Sequence, residues 1–296
     1  HPATFDRILA QGSLGLGASY LDGWWDCDEV DELINRILRS RLDEQVGRAG
    51  WLCASLKARL TNLQSPQRAW QVGEMHYDLG NDLYEAMLDP SMAYSCAYWP
   101  SAQTLAQAQE AKLELICQKL QMKPGMTLLD IGCGWGSLML HAARHHGVNC
   151  VGLTVSKEQA RLGNAKAQGW PVRFELADYR QFNPEGHQRF DRIASVGMFE
   201  HVGHKNYRAY FEMARRSLRD DGLFLLHTIG KNRAGASIDP WIEKYIFPNG
   251  ALPSASEIAF CSEDHFVMED WHNLGEDYDK TLMAWHARFE AAWPVL

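Results

Sequence analysis

The chain lacks any apolar run near the roughly 18 residues that a membrane span requires, and it opens on no signal-peptide pattern. Its seven cysteines include no C-x-x-C pair, and their number is odd. Neither a disulfide framework nor a zinc site is expected, and a reducing cytoplasm is. Positive charge is also scarce: 29 lysines and arginines stand against 37 aspartates and glutamates, for a formal net charge of -8. That balance argues against a general nucleic-acid binder. Methionine is absent from position 1, which is His1, and Leu296 follows closely on an unfinished helical pattern. Segments at both ends are expected to lie outside this numbering.

Hydrophobic residues at 46% and charged residues at 22% are ordinary globular values. The length suits one large domain and one small one, with ample core. Leu33, Ile34, Ile37 and Leu38 recur at helical spacing, so residues 1–60 read as a small helical N-terminal domain. A turn-rich stretch, Gly12 to Gly17, precedes that helix, and Trp24-Trp25 follow as core or as an interfacial surface, with core favoured. The polar run from Asn62 to Arg68 with Pro66 marks a linker at 61–69, after which a second domain runs over 70–296. Between residues 32 and 70, Arg36, Arg39, Arg41, Arg48, Lys57, Arg59 and Arg68 face only Glu32, Asp43 and Glu44. Such a patch suits either anionic lipid headgroups or an ordinary solvated helix face.

In the second domain, Asn81-Asp82 opens a helix to Leu88, and Thr104 caps another to Leu120. Strands are expected at Met126 to Ile131, Cys150 to Leu153, Val172 to Ala177, Arg192 to Val196 and Leu223 to His227. Helices fall between them at Ser137 to His146 and, behind a capping box at Ser156 to Gln159, to Gln168. Strands alternating with helices predict an α/β, mostly parallel, Rossmann-like sheet. Further on, His265 to Asp270 reads as a late strand and Thr281 to Ala292 as a helix.

The organising stretch is Asp130-Ile131-Gly132-Cys133-Gly134-Trp135-Gly136. An apolar strand breaks into alternate glycines and then a helix, so backbone can approach a ligand and unpaired N–H groups meet it. This marks a nucleotide-type cofactor site at the mouth of the sheet. The spacing is Gly-x-Gly-x-Gly with the acid ahead of it, unlike the dinucleotide fingerprint, and it resembles motif I of the class I S-adenosylmethionine-dependent methyltransferases.

The flanks narrow this. Glu74 to Asn81, Tyr94-Ser95-Cys96-Ala97-Tyr98-Trp99, Ser195 to Gly203, Leu226-His227-Thr228-Ile229-Gly230, Tyr245 to Gly250 and Met268 to His272 together resemble the cyclopropane fatty acid synthases. The mycolic acid cyclopropane synthases share the core motifs, and Gln11 to Gly17 with Tyr20 to Trp25 looks like the extra domain of the phospholipid-acting members. The resemblance implies cofactor contacts at Tyr94, Ser95, Asp130, Gly132, Gly134, Gly136, Thr154, Gln159 and Asp178. Gln159 would replace the ribose-binding acid of generic methyltransferases, because Thr154-Val155-Ser156 stands where that acid belongs. It further implies a bicarbonate ion as base, held by Cys96, Glu200, His227, the backbone of Ile229, and Tyr278. The alkene of an unsaturated phospholipid acyl chain would attack the methyl group, and loss of a proton from that methyl would close the ring. A lipid C-methyltransferase that does not close a ring is the second possibility. A homodimer on the inner face of the cytoplasmic membrane is implied as well. On the residues alone, Cys96 also suits a small buried hydrophobe and Glu200 a helix cap. Glu200-His201 with His204 inverts the H-E-x-x-H order and spans a glycine, so no metal is expected there.

Overall fold

Short apolar runs ending in glycine or polar turns pair side by side, because each buries both faces once helices cover them. The structure is a computed structural model that describes residues 1–42, 81–182, 189–235 and 238–296. The sheet consists of β1 (Thr127–Ile131), β2 (Asn149–Thr154), β3 (Val172–Leu176), β4 (Phe190–Val196) and β5 (Leu218–His227). All neighbours are parallel in the order β3-β2-β1-β4-β5. The chain starts in the middle, winds outward to β3, then crosses back to β4. That reversal opens a crevice beyond the carboxyl ends of β1 and β4.

The helices among the described residues are α1 (Thr4–Gln11), α2 (Ser13–Leu21), α3 (Val30–Arg39), α4 (Asn81–Met87), α5 (Leu105–Lys119), α6 (Ser137–His146), α7 (Lys157–Lys166), α8 (Tyr207–Ser217), α9 (Pro240–Tyr245), α10 (Ala255–Ser262) and α11 (Gly275–Ala292). Successive strand residues face opposite sides of the sheet. Leu128 accordingly packs with Leu113, Cys117 and Met139 on one face, while Leu129 and Ile131 pack with Phe199, Tyr207 and Tyr210 on the other.

Of the stretch Gly12 to Gly17 only Gly12 turns the chain, at φ +61° between two helices; Ser13 to Leu21 is helical. Its glycines serve close packing, since a Cβ on Gly15 would stand 2.3 Å from the Arg7 carbonyl and one on Gly17 2.3 Å from the Trp241 ring. Trp24 and Trp25 are half-buried rather than core. Trp25 donates to Ser19 Oγ at 2.9 Å, and Arg7 lies over Trp24. Residues 265–270 form no strand; Phe266 packs on the core, but Val267 is 83% exposed, and no sheet neighbour receives the segment among the described residues. The strand β5 begins earlier than its apolar run because Arg219, Asp220 and Asp221 bulge outward between two paired stretches. The linker at 61–69, the start of the second domain at 70, and residues 74–80 lie outside the described residues.

The start of α11 also precedes its expected start at Thr281. Thr281 is buried, accepts from the Ala97 N–H at 3.1 Å and the Trp99 indole at 3.0 Å, and donates to the Asp277 carbonyl. This one hydroxyl ties the last helix to the Tyr94–Trp99 segment.

Candidate active site

The glycine loop is pinned to the end of β2, where the Leu153 carbonyl accepts from both Gly132 and Cys133 N–H groups. All three glycines have positive φ, at +83°, +55° and +86° for Gly132, Gly134 and Gly136. Their roles differ. A Cβ on Gly132 would meet Met198 at 2.5 Å, and one on Gly136 would meet Phe174 at 2.5 Å. On Gly134 it would meet nothing within 4 Å, and that position lines an open cavity. Of the cofactor residues expected from the sequence, all but Gly136 line this cavity. Gly136 instead supplies the left-handed turn that starts α6.

Around the rim, Thr154 Oγ1 donates to Gln159 Oε1 at 2.8 Å, while Ser156 Oγ caps α7 by accepting from the Gln159 N–H. The expected capping box therefore does not close: the Gln159 side-chain oxygen turns to Thr154, and the Ser156 N–H donates to Thr154 Oγ1 instead. Asp178 is buried and its carboxylate is held by the Arg180 guanidinium, with Nε 2.8 Å from Oδ1. Asp130 is buried beside Lys112, and burial pushes its carboxyl up to about 7 despite that cation. Burial likewise lowers Lys112 to about 8. The ammonium donates to Ser95 Oγ at 2.8 Å, and Gln109, one turn earlier, donates to the Ala93 and Ser95 carbonyls.

A second cavity shares Tyr94, Ser95, Lys112, Gly197 and His201 with the first. Cys96, Glu200, His227, Ile229 and Tyr278 all line it, so the topology gathers residues that are far apart in the chain. Glu200 sits in a 3-10 turn just after β4, and His227 ends β5 opposite Val196. Glu200 Oε1 accepts from the Ile229 N–H at 2.7 Å. Its other oxygen, Oε2, is buried and has no partner among the described residues, as does His227 Nδ1. Burial raises the Glu200 pKa and, with Lys112 nearby, lowers His227 to about 4. Burial and Asp277 push the Cys96 thiol up to about 11, and its Sγ faces the Ala97 and Leu274 carbonyls. Burial also raises the Tyr278 hydroxyl, with Tyr94, Glu200 and Cys96 acting in the same direction. Tyr94 and Tyr278 both pack their rings against Trp285. His204 turns away to Glu257, 2.9 Å from Oε1.

The sequence motifs do not include Lys112, Gln109 or Arg180. The first two had a signal: they interrupt the i, i+3, i+4 buried stripe Leu105, Ala108, Leu113, Ile116 with a charge and an amide. Arg180 had none, because only the turn after β3 brings it back onto Asp178.

The arrangement offers two adjoining compartments. One has a backbone cradle and polar rim, the other a buried polar cluster with unmet hydrogen-bonding capacity beside apolar walls. The profile of the family described as mycolic acid cyclopropane synthetase matches residues 64–296. The cyclopropane-fatty-acyl-phospholipid synthase of Escherichia coli K12 is 56% identical over 297 residues, which covers 100% of this chain and 77% of that protein. Among solved structures, the cyclopropane synthase MmaA2 from Mycobacterium tuberculosis superposes with a TM-score of 0.69 at 36% identity, covering 75% of this chain and 84% of that one. The mycolic acid cyclopropane synthase CmaA1, complexed with SAH and CTAB, gives 0.68 at 39% identity, over 75% of this chain and 83% of that one.

Proposed function

Because the chain belongs to the mycolic acid cyclopropane synthetase family, S-adenosylmethionine-dependent methyltransferases that form cyclopropane rings, we propose specific roles for the two compartments. The activity is that of a cyclopropane-fatty-acyl-phospholipid synthase, acting on unsaturated phospholipid acyl chains. The first compartment fits S-adenosylmethionine, since the Gly134 position leaves open the space a Cβ would fill. Gly132 and Gly134 pass under its amino-acid part, Gln159 and Thr154 serve its ribose, and Asp178 its adenine; Tyr94, Ser95 and Asp130 complete the contacts, while Gly136 shapes the turn. When bound, that group supplies a sulfonium methyl to the neighbouring compartment.

The second compartment fits a bicarbonate ion, whose chemistry is that of a mild base. Cys96, Glu200, His227, the backbone of Ile229 and Tyr278 would hold it. The supporting observation is the pair of orphaned buried atoms, Glu200 Oε2 and His227 Nδ1, in a cavity that adjoins the glycine loop. Each residue keeps its proton in the form an oxyanion needs. Cys96 and Tyr278 stay protonated as donors, and His227 stays neutral. Glu200, raised by burial, shares a proton at Oε2, which two adjacent anions require. The aromatic faces of Tyr94 and Tyr278 suit a developing carbocation. Lys112 and Gln109 position the Tyr94–Cys96 segment between the compartments.

The N-terminal unit docks on anionic lipid in this reading, and the enzyme works as a homodimer from the membrane surface. On α3, Arg36 and Arg39 lie near exposed Leu38 and Ile34. Arg48, Lys57, Arg59 and Arg68 lie outside the described residues. The test is turnover with labelled S-adenosylmethionine and unsaturated phospholipid vesicles in bicarbonate-depleted buffer. Added bicarbonate should restore the rate, with ring protons in the product by NMR. Full turnover without bicarbonate would overturn the base assignment.

A further inference from the structure

Away from both compartments, α5 and α6 bring four potential ligands together. The ligand atoms of Cys117, His141 and His146 lie within 4.8 Å of one another. Glu114 Oε2 stands 3.1 Å from His141 Nε2 and 2.9 Å from His146 Nε2. Glu114 and Cys117 are three residues apart on one face of α5, and the two histidines lie in the last turns of α6. The cluster is partly sheltered, with Cys117 at 0% exposure and the His141 side chain at 8%. None of the four belongs to the proposed catalytic machinery.

We propose that Glu114, Cys117, His141 and His146 form a zinc site. One thiolate, two imidazoles and one carboxylate are a donor set that zinc accepts in tetrahedral geometry. Ligands at about 2.0–2.3 Å from such a centre stand roughly 3.3–3.8 Å apart. Cys117, His141 and His146 therefore stand within about one ångström of a bound arrangement, and Glu114 Oε2 within a few tenths of an ångström of it as measured from both imidazoles. Charge also balances: a divalent cation, one thiolate and one carboxylate sum to zero, which suits a half-buried position. On binding, the Cys117 thiol gives its proton to solvent, and both histidines bind as neutral rings. The carboxylate oxygen exchanges its two imidazole partners for the ion.

The position gives the ion a structural consequence. The helix α5 carries Gln109 and Lys112, which hold Ser95 between the two compartments, and α6 begins at the glycine loop. A zinc ion would staple the far ends of these helices and fix one against the other.

The probe is cobalt(II), followed by zinc competition, on the full chain stripped with chelator. One equivalent of cobalt should give tetrahedral d–d bands and a thiolate-to-cobalt charge-transfer band, and zinc should displace it. Cys117→Ser should remove the charge-transfer band, and His146→Gln should weaken affinity by more than the roughly 10–100-fold typical of losing an outer-shell partner, while His145→Gln, at the exposed neighbouring ring, should bind as the parent does. X-ray absorption of the zinc-loaded parent, which depends on no variant, should show one sulfur in the coordination shell. Cobalt bound without a sulfur band, no uptake at one equivalent, or a zinc shell of nitrogen and oxygen only would each overturn the site. Those outcomes leave Glu114 as a hydrogen-bonding partner of two histidines.

Discussion

Replacing Glu200 with glutamine separates its two oxygens. Glutamine keeps an acceptor where Oε1 takes the Ile229 N–H at 2.7 Å, so the loop geometry should survive. What changes is Oε2, buried and without a partner among the described residues, which becomes an amide that shares no proton with an anion. Folding stability should move by only about 1 kcal/mol, because one hydrogen bond weakens while a buried ionisable group disappears. Turnover should fall by about 10²–10⁴, the usual range for losing acid–base assistance, or about 2.7–5.5 kcal/mol of barrier. Affinity for S-adenosylhomocysteine should stay within about threefold, since Glu200 does not line the glycine-loop cavity. The assay is kcat and KM on unsaturated vesicles across a bicarbonate series, with calorimetry for the cofactor side. A variant that turns over within threefold of the parent, or that loses cofactor binding together with turnover, would refute this placing of the base site.

The two loop glycines should respond differently. Gly134→Val should cost only about 1–2 kcal/mol of stability from its left-handed backbone, yet lower cofactor affinity by roughly two orders of magnitude, about 2.7 kcal/mol, in calorimetry. Gly136→Ala should destabilise more, by about 2–3 kcal/mol in a melt, because its Cβ meets Phe174 at 2.5 Å. His227 is held neutral in the fold, down to about 4, whereas the unfolded chain protonates near 6.5. Its contribution is present above 6.5 and lost as pH falls toward 4. The parent should thus lose up to about 2 kcal/mol more than His227→Gln between pH 7.5 and 5, read from urea midpoints. Charge reversal at Arg36, Arg39 and Arg41 should weaken co-sedimentation with anionic vesicles by about 1 kcal/mol per residue at low salt, and the difference should shrink as salt rises. Equal, salt-independent binding would reduce these arginines to helix solvation.

The sheet was legible because its signals are local. Apolar runs, the glycine turn, the Thr104 and Ser156 caps and the 3.6-residue stripe of α5 are properties of neighbours in the chain, and the observed elements follow them closely. The exceptions are instructive. Gly12 to Gly17 reads as a turn because glycine permits one, but only Gly12 turns, while Gly15 packs on the Arg7 carbonyl and Gly17 on Trp241, distant in sequence. Residues 265–270 have strand composition but pair with no strand among the described residues, and pairing is a tertiary condition. The β5 bulge hid the start of that strand behind three charged residues.

Site residues divide along the same line. The local pattern at 130–136 pointed to a cofactor loop, and the family motifs pointed to Cys96, Glu200, His227 and Tyr278. Only the fold decided that these share a cavity adjoining the loop, that Lys112 and Gln109 hold Ser95 between the two, and that Arg180 closes on Asp178. The physical reason is that burial and charge proximity set both the protonation states and the unmet hydrogen bonds. Those quantities depend on which distant segments enclose a group, which a linear pattern does not contain.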